Sequence, residues 1–305
     1  MRVCFAGYGS IAKRHISNLK ELYGKECHID LLRHSKGDTA GLQFVDRIFY
    51  DWNELESDYD AFFITNPTTK HFDTLKETVK YCKKVFVEKP VFDTSSRPIS
   101  SLGLDENGVY YVACPLRYTG MIKYLKDNID FDGIYSLRAI SSSYLPDWRV
   151  TDYRQSYSAR KELGGGVSLD LVHEWDYISY LIGFPAHVSS IISKKSDLQI
   201  DTDDIAVYIA EYENKVVEIH LDYFGRKPVR LLEMYGKDDT IIADFIRSRI
   251  TWLKSGKELI FEESRDDYQK RELEHFFDIT EGKEKNDSDI GHAMKVLRLA
   301  EGEWN

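Results

Sequence analysis

Apolar runs and amphipathic stretches alternate through the first third of the chain. Residues 3–6, 29–32, 61–65, 85–87 and 109–113 form short runs that read as buried strands, and segments 11–23 and 70–82 carry helical periodicity between them. That alternation predicts a parallel sheet with crossover helices, an N-terminal Rossmann domain over residues 1–116. From residue 133 onward the pattern changes. One helical stretch over 168–182 is followed by runs of alternating character, VSSIIS, DIAVYIAEY, KVVEIHLDY, VRLLEMY, TIIADFI and RITWL. Alternation means one packed face and one available to water or a partner, so residues 117–305 are expected to form an α+β domain with an open, mostly antiparallel sheet. Two helical segments, 266–281 and 289–303, close the chain. They are too little to cover that sheet, which points to a homodimer or homotetramer.

Composition narrows the function classes. A chain of 305 residues with 42% hydrophobic residues can bury a substantial core. A net charge of −10 argues against a nucleic-acid partner, because phosphate-backbone binders need clustered Lys and Arg. No apolar run approaches the length of a membrane span. The N-terminus starts a strand at once, with no basic region and cleavage site, and this predicts a cytoplasmic protein. Cys4, Cys27, Cys82 and Cys114 stand singly, which suggests neither disulfides nor a metal site.

Between the first strand and the first helix lies Gly7-Tyr8-Gly9-Ser10-Ile11-Ala12, a GxGxxA turn. Gly7 permits a tight turn, Gly9 lets the backbone approach a pyrophosphate, and Ala12 lets the helix pack closely on the sheet. The phosphate would rest on the N–H groups of the helix N-terminus. An acidic residue at the tip of the second strand would favour NAD. Asp30 falls short of that tip, which instead reads Arg33-His34-Ser35-Lys36. Arg33 and Ser35 suit a 2′-phosphate, so NADP is expected in preference to NAD.

Ligands of doubly wound sheets bind at the carboxyl ends of the strands. Thr65-Asn66-Pro67 ends one strand and Glu88-Lys89-Pro90 another, which gives the two charges a positional reason. A surface ion pair at a strand end is the alternative. The glycine turn, the segment NPTTKHFDTLKETVKYCKKVFVEKP and the later GGGVSLDLVHEWDYISYLIG together resemble the Gfo/Idh/MocA family of dinucleotide-dependent oxidoreductases, in the expected order and over nearly the whole chain. The resemblance implies Lys89 as catalytic lysine and cofactor contacts from Gly7, Gly9, Ser10, Ile11, Thr65, Asn66, His71 and Glu88. Its implied reaction is hydride transfer between nicotinamide and a secondary alcohol of a sugar, nucleotide sugar or cyclitol.

On the expected helix 168–182, Asp170, His173 and Tyr177 share one stripe at i, i+3, i+7. A carboxylate beside a histidine can relay a proton, and the resemblance assigns that role to Asp170 and His173. The commoner family spacing is four residues, a position held here by Glu174. The stretch SSSYLPDWRVTDYRQSYSARKELGGG is rich in Tyr, Trp and Arg. Trp148, Arg149, Arg154 and Tyr157, with Arg117, could stack on a sugar and bind its hydroxyls or a carboxylate, or could build subunit contacts. Two rival functions stay open: a redox-assisted glycoside hydrolase that retains its NAD, and a silent dinucleotide-binding regulator.

Overall fold

Strands β1 (Arg2–Ala6), β2 (His28–Leu32), β3 (Arg47–Phe49), β4 (Ala61–Ile64), β5 (Lys84–Val87) and β6 (Val109–Val112) form one parallel sheet in the order β3-β2-β1-β4-β5-β6. This is the computed structural model of the chain, and it describes residues 1–36 and 41–304. Helices α1 (Ser10–Tyr23) and α2 (His71–Thr78) follow β1 and β4. The strand order reverses between β1 and β4, the switch point at which such sheets receive ligands.

Helix α3 (Gly120–Asn128) precedes a second sheet. Its strands are β7 (Ile134–Tyr144), β8 (His187–Ser193), β9 (Ile205–Glu211), β10 (Val216–Asp222), β11 (Phe224–Gly236), β12 (Thr240–Asp244), β13 (Arg249–Trp252) and β14 (Glu258–Ile260). They run β14-β13-β12-β11-β7-β10-β9-β8, antiparallel throughout except for the β7–β10 pair. Two helices sit between β7 and β8 in the chain, α4 (Val167–Asp170) and α5 (His173–Ile182). Helix α5 lies against the inner face: Trp175 is fully buried edge-on to Tyr208 of β9, and Glu174 is paired with Arg230 of β11. The alternation read from the sequence is realised here, with Leu137, Ala139, Val217 and Leu232 buried and Tyr135, Ile191, Ile209 and Tyr235 exposed.

Helices α6 (Arg265–Thr280) and α7 (Ile290–Ala300) end the chain. The sequence pattern assigns 117–305 to one uninterrupted domain, but Arg265–Met294 group with the first sheet, and Asn305 lies outside the described residues. The cause is an aromatic row. Phe5, Phe63, Phe86 and Tyr111 stand in register on β1, β4, β5 and β6. Phe5 stacks on Phe63 at 4.6 Å and Phe63 on Phe86 at 5.1 Å between ring centroids. Phe276 of α6 covers the row edge-on, 5.8 Å from Phe63 and 5.4 Å from Phe86. Aromatic rings bury large areas, so a row this long stays out of water only if another element covers it. Arg14–Asp266 and Lys270–Glu21 ion pairs tie α6 to α1 at the rim.

Candidate active site

At the end of β1 the chain turns at Gly7 with φ +100°, a conformation L side chains rarely adopt. A Cβ there would also stand 2.9 Å from both Cα and N of Asn66, so only glycine fits. The turn is held from both neighbouring strands. Gly7 N–H donates to Leu32 O at 3.2 Å, and Thr65 Oγ1 donates to the carbonyls of Ala6 and Gly7, each at 3.1 Å. Helix α1 then starts with no side-chain cap and no acidic residue in its first turn. A Cβ on Gly9 would meet no atom within 4 Å. The helix N-terminus, with its unsatisfied N–H groups and positive dipole end, is thus open to an anion.

Beside this turn is a cleft of about 430 Å³ lined by Gly7, Tyr8, Arg33, Ser35, Tyr50 and Asn66, with Lys70 and Asp73 of the α2 region on another wall. Asn66 Nδ2 donates to Thr74 Oγ1 at 2.7 Å, while its buried Oδ1 has no hydrogen-bond partner among the described residues. An acceptor left unsatisfied in a cleft wall suits a ligand that brings a donor. Asp30 is committed elsewhere. Its buried carboxylate accepts from Arg2 Nη2 and Arg47 Nη2 at 2.9 Å and from the Tyr59 hydroxyl at 2.9 Å. The open anion end of α1 and the basic strand tip fit the phosphates of a dinucleotide, and the orphaned Asn66 oxygen fits a hydroxyl or amide donor of the same ligand.

The strand-end tripeptide resolves into different jobs. Glu88 is engaged inward: its buried carboxylate lies 2.5 Å from His15 Nε2, and its other oxygen accepts the Lys89 N–H at 3.2 Å. Burial pushes the Glu88 carboxyl up, but the hydrogen bond and charge of His15, with Lys89 and His71, outweigh it and hold the group below its ordinary value. His71, also expected at the cofactor, is buried with Nδ1 3.0 Å from Pro90 O and Nε2 2.9 Å from Asn66 O. It ties the Asn66 turn to the Pro90 turn from inside, and burial lowers its pKa. Lys89 is half-buried, and the Lys89–Pro90 peptide is cis.

In the second unit the expected single helix is two. The chain leaves helical geometry at Leu171, with φ −97° and ψ 30°, so Asp170 ends α4 and His173 begins α5. The stripe of Asp170, His173 and Tyr177 is broken with it. Tyr177 is fully buried with its ring 5.4 Å from Phe245. Glu174, at the commoner family position for the histidine, is fully buried and accepts from Arg230 Nε at 2.7 Å and Nη2 at 3.1 Å. His173 is half-exposed. Asp170 Oδ2 accepts from Ser158 Oγ at 2.6 Å and from the Tyr223 hydroxyl at 3.2 Å.

The expected substrate residues divide. Arg117 is buried and forks onto Asp176 with bonds of 2.9 and 2.6 Å, so it braces α5 and is not offered to a ligand. Arg154 is exposed but forks onto Asp152 and reaches Gln199 at 3.0 Å. Tyr157 donates to Gly164 O at 2.7 Å. Trp148 donates to Ser143 Oγ at 2.9 Å and rests edge-on against Tyr223. Arg149 is exposed, with no hydrogen bond or ion pair among the described residues. Sequence reasoning missed Tyr8, Tyr50 and Trp52 in the cleft beside the glycine turn and Ser158 and Tyr223 at Asp170. The aromatic cluster FYDW, which begins at the last residue of β3, is the available signal for Tyr50 and Trp52.

The chain matches two family profiles in sequence order. Residues 1–99 match "Oxidoreductase family, NAD-binding Rossmann fold", and residues 123–242 match "GFO/IDH/MocA C-terminal domain". A curated relative, the uncharacterised oxidoreductase YrbE of Bacillus subtilis (strain 168), is 25% identical over 97% of this chain and 84% of that protein. Among solved structures, levoglucosan dehydrogenase in complex with NADH superposes with a TM-score of 0.83 at 18% identity, covering 99% of this chain and 95% of that one. UDP-N-acetylglucosamine 3-dehydrogenase from Acidithiobacillus ferrooxidans gives 0.81 at 17% identity, covering 98% and 95%. At such identities these two likenesses are of fold.

Proposed function

The chain belongs to the Gfo/Idh/MocA oxidoreductase family, and on that premise we propose that it is an NADP-preferring dehydrogenase of a secondary alcohol on a sugar, nucleotide sugar or cyclitol. The observation that carries this reading is the uncapped start of α1 beside a cleft whose strand-tip wall is Arg33 and Ser35. Gly7, Gly9, Ser10 and Ile11 would hold the pyrophosphate through backbone N–H groups. Arg33 and Ser35 would take the 2′-phosphate, and Asn66 would meet a donor of the cofactor. Commitment of Asp30 to Arg2, Arg47 and Tyr59 takes up the carboxylate of the second strand, the one whose strand could have favoured NAD.

Bound NADP supplies the hydride acceptor, and the protein has to orient the alcohol and dispose of its proton. Lys89 hydrogen-bonds the reacting oxygen and stabilises the charge that develops on it. Asp170 and His173 carry the proton onward. Thr65, Glu88 and His71 act from inside the fold, fixing the glycine turn and the Lys89–Pro90 turn. The sugar and nucleotide-sugar dehydrogenases among the fold neighbours support a polyhydroxylated substrate. The test is a panel of myo-inositol, glucose, levoglucosan and UDP-N-acetylglucosamine with NADP and NAD, followed at the nicotinamide absorbance. Turnover that is faster with NADP supports the reading. Bond cleavage without net cofactor reduction would identify a redox-assisted hydrolase, and tight cofactor binding with no turnover would identify a regulator.

A homodimer or homotetramer through the outer sheet face accompanies this reading. On that face Arg138 stands in register between Glu218 and Glu233, and Ile209 is exposed beside Glu218. A mixed apolar and alternating-charge surface is self-complementary about a twofold axis. Light scattering at micromolar concentration should give a dimer or tetramer mass, and Ile209→Glu should shift it toward monomer.

A further inference from the structure

Helix α4 is only four residues long, and Asp170 is its last. A helix this short does not hold its own geometry, since nucleation is unfavourable and few hydrogen bonds repay it. Its start is fastened by Asp203, whose carbonyl accepts the Val167 N–H at 3.1 Å and whose carboxylate accepts the Ser168 N–H at 2.8 Å. At its other end two hydroxyls converge on one atom, Asp170 Oδ2: Ser158 Oγ at 2.6 Å and Tyr223 OH at 3.2 Å. Both donors are buried.

The same loop supplies or seats both. Leu145 N–H donates to Tyr223 O at 2.9 Å, and the Trp148 ring stands perpendicular to the Tyr223 ring at 5.4 Å. Ser158 lies at the far end of that loop, where Thr202 Oγ1 donates to its carbonyl at 3.1 Å. We infer that Ser158 and Tyr223 are positioning residues for Asp170, so that the loop from Leu145 to Ser158 sets the orientation of the catalytic carboxylate. This rests on the assignment of Asp170 to the proton path. Burial and the Asp170 charge push the Tyr223 phenol well above its ordinary value, so Tyr223 remains a donor throughout the working pH range.

A purely structural role would cost stability and leave turnover unchanged. A positioning role lowers kcat, because small misplacements of a reacting group are expensive in rate. The test uses full-length Tyr223→Phe, Ser158→Ala, the double variant, Ser158→Thr and, as the control on the premise, Asp170→Asn. Each is assayed with NADP and the fastest substrate of the panel above, and crystal structures of the wild type and the double variant are compared. Expected are a drop in kcat of about tenfold for each single variant and about 100-fold for the double, with KM within about twofold. Ser158→Thr should recover kcat to within about twofold. In the double variant the Asp170 carboxylate should leave its wild-type rotamer. An unmoved carboxylate would overturn the inference, and that arm needs no substrate. A double variant with wild-type kcat but lowered Tm would also overturn it. Wild-type turnover in Asp170→Asn would instead remove the assignment on which it rests.

Discussion

Glu88 Oε1 lies 2.5 Å from His15 Nε2 inside the first unit, while Lys89, the next residue, is half-buried. An apolar strand therefore ends on two charges for two reasons. One carboxylate is paired within the core, and the half-buried lysine beside it is the group proposed to act in the chemistry. Ionised groups are costly to bury unless they are paired, and His15 is the partner that makes Glu88 tolerable there.

That pairing gives stability a pH dependence of definite sign. Glu88 is held below its ordinary 4.5, so its contribution is full above pH 4.5 and is lost as pH falls through the lower folded value. Burial holds His71 below its ordinary 6.5, so the fold favours the neutral ring, and this contribution is full above pH 6.5 and lost as pH falls below it. Urea unfolding from pH 8 to 4 should show stability declining on acidification, by up to about 1.4 kcal/mol per pH unit for each proton taken up. His71→Gln should lack the part that begins near 6.5, and Glu88→Gln the part below 4.5. Wild-type stability that rises between pH 6.5 and 5 would contradict this.

The two glycines of the phosphate turn should fail differently. Gly7→Ala forces a Cβ against Asn66 at a left-handed φ and should cost about 2 kcal/mol or more of stability. Gly9→Ala places its methyl in open space, so stability should change by less than about 1 kcal/mol while NADPH affinity falls at least about tenfold. Urea unfolding with NADPH fluorescence titration separates the two.

Arg33→Ala should weaken NADPH binding by about tenfold or more, the worth of a charge-assisted bond, and leave NADH within about twofold. Titration of both cofactors into both proteins measures this. Equal losses for the two cofactors would place Arg33 outside 2′-phosphate recognition.

Five of the six strands of the first sheet were legible because buried parallel strands are continuous apolar runs. The exception, β3, has three residues at the sheet edge and leaves almost no pattern. Strand β7 was also missed: IYSLRAISSSY is serine-rich and reads as a connection, yet it is central to the second sheet. Partners were the larger gap. Arg117 and Glu88 look like site charges in the sequence, but their destinations, Asp176 and His15, lie 59 and 73 residues away and are fixed by packing alone. That the glycine turn and Arg33 stand beside one cleft was legible because local backbone demands and strand position place them directly.

Helix α6 was legible as a helix but not as part of the first unit. If it completes the aromatic row, Phe276→Ala should destabilise that unit by about 3–5 kcal/mol. Thermal or urea unfolding followed by NADPH binding would reveal it, and a loss below about 1 kcal/mol would mean that the row is covered by other groups.

Lys89 is proposed to act in the chemistry and not in cofactor binding. The most direct test is Lys89→Met, assayed for sugar-dependent reduction of NADP alongside NADPH titration. Expected is a loss of at least about 1,000-fold in kcat with NADPH affinity within about threefold of wild type. Turnover that survives the substitution would contradict it.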